Sequence, residues 1–235
     1  MELVCCIAVT TLVMLFLNST IIRKRAIWYF ISLAASFATV FFEIFKILYK
    51  VHIGGVLAVF EKVCIKGFIA ISLFLLVMFA GALNNKLAVT KKLVAIRAQM
   101  AIMASIFIFP HVCIYLYYVL KYTFPEVIDK GSIELFTAAY ILAGIIAFII
   151  MMPLFITSLK KVRRKMNGVK WKKLQRWAYL FYLLVYGHIL FVMLNSQKID
   201  ITRFATYNIL FGIYFILRVT KTRLSSVTKS VEPIA

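Results

Sequence analysis

Two of the three histidines in this chain, His111 and His188, sit inside long apolar runs. His111 stands 14 residues after Arg97, and His188 stands 15 after Lys173. Arg97 and Lys173 belong to strongly basic segments, expected on one side of a membrane. At ~1.5 Å of helical rise per residue, each imidazole lies ~21–22 Å from that basic edge. A neutral imidazole is a strong axial ligand for haem iron, and two at one depth on facing helices can hold the metal from both sides. The bland alternative is that each histidine hydrogen-bonds a neighbouring helix. Polar groups inside a bilayer are costly, however, and tend to mark sites. The matched pair therefore points to one bis-histidine haem b, with His111 and His188 as the iron ligands.

Such a pair needs helices to carry it. The chain is 64% hydrophobic with a mean hydropathy of +0.97, and only 15% of its residues are charged. That composition belongs to a polytopic membrane protein. A spanning helix needs ~20 mostly apolar residues. Seven stretches qualify: Leu3–Ile22, Ile27–Leu48, Val63–Leu83, Ala98–Leu120, Leu135–Leu159, Leu174–Leu194 and the shorter Ala205–Leu217. The expected fold is an all-α membrane bundle of about seven helices. Pro110, directly before His111, is expected to kink the fourth span.

The net charge of +20 reflects a scarcity of acids, eight in all. Most Lys and Arg fall in alternate loops: Arg23, Lys24 and Arg25; Lys86, Lys91, Lys92 and Arg97; the run from Lys160 to Arg176; and the tail from Arg218. This is the positive-inside pattern and not a nucleic-acid patch. It predicts an outer N-terminus, an inner C-terminus and a multi-pass protein of a bacterial inner (cytoplasmic) membrane, with the lipid bilayer as partner. The N-terminus lacks a basic region before its apolar run, so it reads as a retained first helix. Cys5, Cys6, Cys64 and Cys113 form no CxxC or CxxCH, which excludes covalent haem attachment and zinc-ligand spacing at those residues. No Gly-rich dinucleotide fingerprint or P-loop occurs.

Two segments carry a family resemblance. One runs from Thr157–Ser158 through the basic stretch to Trp171, Leu174–Gln175–Arg176 and Trp177, then reaches His188, 13 residues after Gln175. The other runs from Arg97 through Phe109–Pro110–His111 to Tyr115. They resemble the ferric-reductase-like transmembrane domain, and within it the haem-binding membrane subunit of bacterial methionine sulfoxide reductase systems. The likeness covers roughly Lys62–Arg218. The chain is then expected to divide into two N-terminal helices in 1–61, which the likeness does not explain in detail, the haem-binding domain in 62–218 and a short cytoplasmic tail in 219–235. Two-haem members of the family place two histidines on each ligand helix, 13 or 14 residues apart. Here the inner positions hold Arg97, a cation that cannot ligate iron, and Gln175, a poor ligand. The resemblance thus implies one haem.

A single haem in the outer half leaves a gap to the cytoplasm. An FMN or a quinone near the inner face would bridge it, with Arg97, Gln175, Arg176 and Trp177 as lining groups. An ordinary basic rim with an interfacial Trp explains the same residues. Glu43 and Lys46 are spaced to pair on one helix face. Lys66 is the best candidate for a propionate contact, although a snorkelling lysine is equally expected there. His52, in an outer loop, reads as a surface residue, a propionate contact or an alternative ligand. The expected function is electron transfer from a cytoplasmic or membrane donor, a separate flavin reductase or quinol, to an extracytoplasmic redox partner. The competing readings are a seven-helix receptor, which needs no matched histidines, and a transporter, which would show repeats or several intramembrane carboxylates. A reduced-minus-oxidised optical spectrum discriminates among them.

Overall fold

Ser32, Ser36, Thr39 and Glu43 are buried on a single helix whose outer face exposes Phe30, Phe37, Phe41 and Leu48. The buried set recurs every three or four residues and so forms one stripe. Polar groups inward and large apolar groups outward is the reverse of a water-soluble helix, and it suits lipid as solvent. Each hydroxyl finds a carbonyl, as a medium without water demands. Ser32 donates to Trp28 O at 2.9 Å and Thr39 to Ala35 O at 2.9 Å. Ser36 instead crosses to Ile106 O at 3.1 Å. That carbonyl faces Pro110, which has no N–H to offer it.

The structure, a computed structural model, describes residues 2–51, 54–196 and 198–231, with backbone alone for 224–231. Among these the regular elements are all helices: α1 (Glu2–Phe16), α2 (Asn18–Arg23), α3 (Arg25–Tyr49), α4 (Gly55–Ile65), α5 (Phe68–Ala82), α6 (Ala88–Ala95), α7 (Arg97–Phe107), α8 (Phe109–Tyr118), a π-helical turn (Val119–Thr123), α9 (Phe124–Lys130), α10 (Leu135–Ser158), α11 (Lys160–Arg163), α12 (Gly168–Gln175), α13 (Ala178–Leu194) and α14 (Ile201–Val231). Four helical stretches are long and apolar enough to cross a membrane: Arg25–Tyr49, Arg97–Lys130, Leu135–Ser158 and Gly168–Leu194. A fifth arises if α4 and α5, bent by 56°, count as one span.

The element boundaries revise several expectations. The span expected at Val63–Leu83 is two helices, because Gly67 adopts φ 71° and breaks the run there. The residue is glycine because that left-handed conformation disfavours a side chain. The helix expected to end at Leu120 continues to Lys130, so Pro125–Gly131 is mostly helix and not loop. Pro125 follows closely on the π-helical turn Val119–Thr123, where the chain departs from the α-helical bonding pattern that a proline interrupts. α14 extends well beyond Ala205–Leu217 into the expected tail. Near Pro110 the break falls at Ile108, between α7 and α8.

α5 is the hub. Ala70 through Met78 are buried without interruption, so this helix is apolar all round. It packs against α1, α7 and α14, while α10 pairs with α13 and also meets α7.

Candidate functional site

His111 lies on α8, one residue past Pro110, and His188 lies in the C-terminal half of α13. Their ring centroids are 6.2 Å apart and their planes stand at 85°. Each ring is fixed from behind by a main-chain carbonyl of a different helix. His111 Nδ1 lies 2.9 Å from Ile65 O, and His188 Nδ1 lies 2.7 Å from Tyr140 O. A carbonyl can only accept, so each Nδ1 carries the proton and each Nε2 keeps its lone pair. This is the arrangement by which proteins orient an imidazole ligand and raise its basicity.

The helix break supplies the first carbonyl. α4 ends at Ile65, and Gly67 N–H bonds back to Cys64 O at 2.9 Å, leaving Ile65 O available to the ring. The second carbonyl is reachable because position 144 has no side chain. A Cβ on Gly144 would come within 2.9 Å of His188 Nδ1, and one on Gly67 would lie 3.5 Å from the His111 ring. Small residues in membrane helices commonly permit such close approach. Tyr115 packs on His111 with centroids 4.6 Å apart, and Tyr140 meets His188 at 6.2 Å.

Two metal–imidazole bonds of ~2 Å, with a ring radius on either side, put two axial rings about 6 Å apart. The observed centroid separation of 6.2 Å is close to that figure. Axial rings may take any mutual angle, since each turns freely about its metal–nitrogen bond. Among the described residues no group of three or more His, Cys, Asp or Glu could hold a bare metal ion. Two imidazoles alone suit an iron that brings its own in-plane ligands, as haem does.

Below the pair, toward the basic edge, the bundle is filled with aromatic side chains. Phe74 meets Phe181 at 5.0 Å and Tyr182 at 6.5 Å, and Tyr214 meets Tyr182 at 6.4 Å and Phe79 at 6.0 Å. Arg97 follows: its Nε donates to Val77 O at 3.2 Å and its guanidinium lies against Gly81. Gln175 turns elsewhere, donating to Thr157 Oγ1 at 3.2 Å on α10. Trp177 begins α13 and is 53% exposed. Arg97 and Gln175 are thus tied to different helices. Trp171 Nε1 also holds Thr157, through its carbonyl at 3.1 Å, with Arg163 stacked on the indole at 3.9 Å.

Lys66 sits in the bend between α4 and α5, where it meets Glu2 Oε2 at 3.4 Å. With Lys46, Lys62, Ile65 and Tyr115 it lines a cleft of about 330 Å³ that reaches the His111 side of the site. Glu43 and Lys46 pair as their spacing predicts, at 2.8 Å. His52 lies outside the described residues. Sequence reasoning missed Gly67, Gly144 and the two carbonyls; glycines inside apolar runs were the available signal.

A family profile described as "Ferric reductase like transmembrane component" matches residues 66–186, just over half of the chain. An uncharacterized protein of Treponema pallidum (strain Nichols) is 31% identical over 158 residues, which cover 64% of this chain and 42% of that protein. The chain therefore spans less than half the length of that relative. No solved structure matches.

Proposed function

We propose, from the premise that the chain belongs to the ferric reductase-like transmembrane family, that it holds one haem b between His111 and His188 and passes electrons across a bacterial cytoplasmic membrane. The family itself supports a membrane electron-transfer role. The observation that carries the finer reading is the pair of imidazoles at 6.2 Å, each with Nδ1 anchored on a carbonyl and Nε2 left free. Haem iron supplies one-electron chemistry, and the protein sets its potential through ligand basicity and burial. Ile65 O and Tyr140 O make both ligands more basic and fix their direction. Arg97 and Gln175 stand where a second haem would need histidines, and they are engaged with Val77 O and Thr157 Oγ1, which supports a single haem. Lys66, facing the cleft beside His111, is suited to an anionic propionate.

In this reading seven helices cross the bilayer with the N-terminus outside and the C-terminus inside. Electrons enter from a separate flavin reductase or from quinol, with an FMN or quinone near Arg97, Gln175 and Trp177, and leave to an extracytoplasmic acceptor. The methionine sulfoxide reductase membrane subunits offer a functional parallel.

The test is direct. Purified wild-type protein should give about one haem per chain by pyridine haemochrome. His111→Ala and His188→Ala should each lose haem while still inserting in membranes. Full haem content in both variants, or two haems in the wild type, would defeat the assignment.

A further inference from the structure

One buried carboxylate oxygen has no partner. Glu61, on α4, is 6% exposed, and its Oε1 has no hydrogen bond among the described residues. Its other oxygen accepts from Lys46 Nζ at 3.0 Å. The same ammonium serves Glu43 Oε2 at 2.8 Å, and Tyr118 OH donates to Glu43 Oε1 at 3.2 Å. One ammonium therefore faces two carboxylates. A buried negative charge remains in excess, with an unmet acceptor. Both features favour binding a proton.

The surroundings allow one to arrive. Glu61 lines the cleft of about 330 Å³, which has room for water. It also borders a smaller apolar pocket of about 120 Å³ with Thr39, Phe42, Leu57 and Phe60. The remaining titratable groups nearby are Glu2 from α1, Lys62 and Cys64 from α4, Lys66 from the bend and Tyr115 from α8. Lys62 and Lys66 are held by Glu2, at 2.6 and 3.4 Å, and not by Glu61.

The cluster shares both of its helices with one imidazole. Glu61 is one turn from Ile65, whose carbonyl anchors His111, and Tyr118 lies two turns along α8 from His111. An ion bound at His111 would thus stand roughly 12 Å from Glu61. We propose that Glu61 is a proton-binding site coupled to the electron held at the histidine pair; the coupling rests on the haem reading above. When one electron arrives from reduced flavin or quinol, the protonated fraction of Glu61 rises, by at most about half a proton for a tenfold change in affinity; the solvated proton enters through the cleft, bonds to Glu61 Oε1 and leaves on reoxidation. No other bond forms or breaks. At ~12 Å and an effective dielectric of ~20, the added electron raises the proton affinity of Glu61 by roughly tenfold.

The experiment is a redox titration of the haem-loaded protein from about pH 5 to about pH 9, beside Glu61→Gln and Glu43→Gln. The wild-type potential should fall with rising pH across one window, by up to ~59 mV in total for a tenfold coupling. Glu61→Gln should be flat across that window. Glu43→Gln, which removes the competing negative charge, should move the window to lower pH. A pH-independent wild type, or an unchanged slope in Glu61→Gln, overturns the coupling. Infrared spectra of the haem-free protein provide a separate readout: a carboxylic C=O band that titrates in the wild type and vanishes in Glu61→Gln supports the proton site. An unchanged band in Glu61→Gln overturns it. Should the chain bind no haem, the haem reading fails with the coupling, and the infrared result alone decides the proton site.

Discussion

At the scale of single residues, the imidazoles are only half of the candidate centre. Gly144 is the other half on the His188 side, because an added methyl would stand 2.9 Å from Nδ1. Gly144→Ala must push the ring off the Tyr140 carbonyl or move α13 away from α10. Overpacking of this kind costs typically ~1–3 kcal/mol, so haem affinity should drop by about tenfold or more while Gly187→Ala, whose Cβ meets only Phe191 at 3.8 Å, leaves it unchanged. Haem titration of detergent-solubilised protein checks this, and equal affinity in the two variants would refute it. The histidines themselves were readable from the sequence because ionisable residues are rare inside apolar runs. Their carbonyl partners were not, since a main-chain acceptor has no signature in residue type. The Glu43–Lys46 pair was legible from i, i+3 spacing, but Glu61 joins it from another helix.

At the scale of elements, most helix cores followed from hydropathy, and most errors fell at breaks. The turn at Lys66–Gly67 escaped because its flanks are apolar on both sides and no proline marks it. The run past Leu120 escaped because a polar stretch can remain helical once it leaves the lipid. α14 illustrates how such ends are secured. Lys221 Nζ donates to Gly81 O at 3.1 Å and Leu83 O at 2.8 Å, while Arg218 donates to Gly81 O at 3.3 Å and to the Tyr179 hydroxyl. These cations cover carbonyls that the end of α5 leaves unpaired, and they oppose its negative dipole end. Lys221→Met should remove roughly 1–3 kcal/mol of that anchorage, since hydrogen bonds to charged groups are the stronger kind. Limited proteolysis should then cut near residues 215–223 several-fold faster; an unchanged cutting rate would count against the clamp.

At the scale of the whole molecule, charge crowding marks one edge of the bundle. Lys160 lies outside the spans, and the nearby positive charges of Arg25 and then Arg164 hold its ammonium below the ordinary lysine range. The charged form is disfavoured in the folded state, so this repulsion acts at lower pH and is relieved as pH rises through the lowered value. Competitive amine labelling should find Lys160 reactive at lower pH than Lys130, whose pairing with Glu126 shifts it upward. Arg25→Gln should return Lys160 toward ordinary behaviour; identical labelling profiles would separate the two loops. The same edge should face the cytoplasm, so a reporter after Ala235 should read inside and one at Gly131 outside. The carbonyl anchors have a further implication for biogenesis. His111 depends on α4 and α8, and His188 on α10 and α13, so four helices far apart in the chain must meet before both rings are aimed. A nascent chain released before residue 188 carries an oriented first ligand and nothing opposite it. On the haem reading, cofactor capture would wait for chains whose α10–α13 pair has been inserted, and a completed centre would report that both helix pairs have met in the membrane.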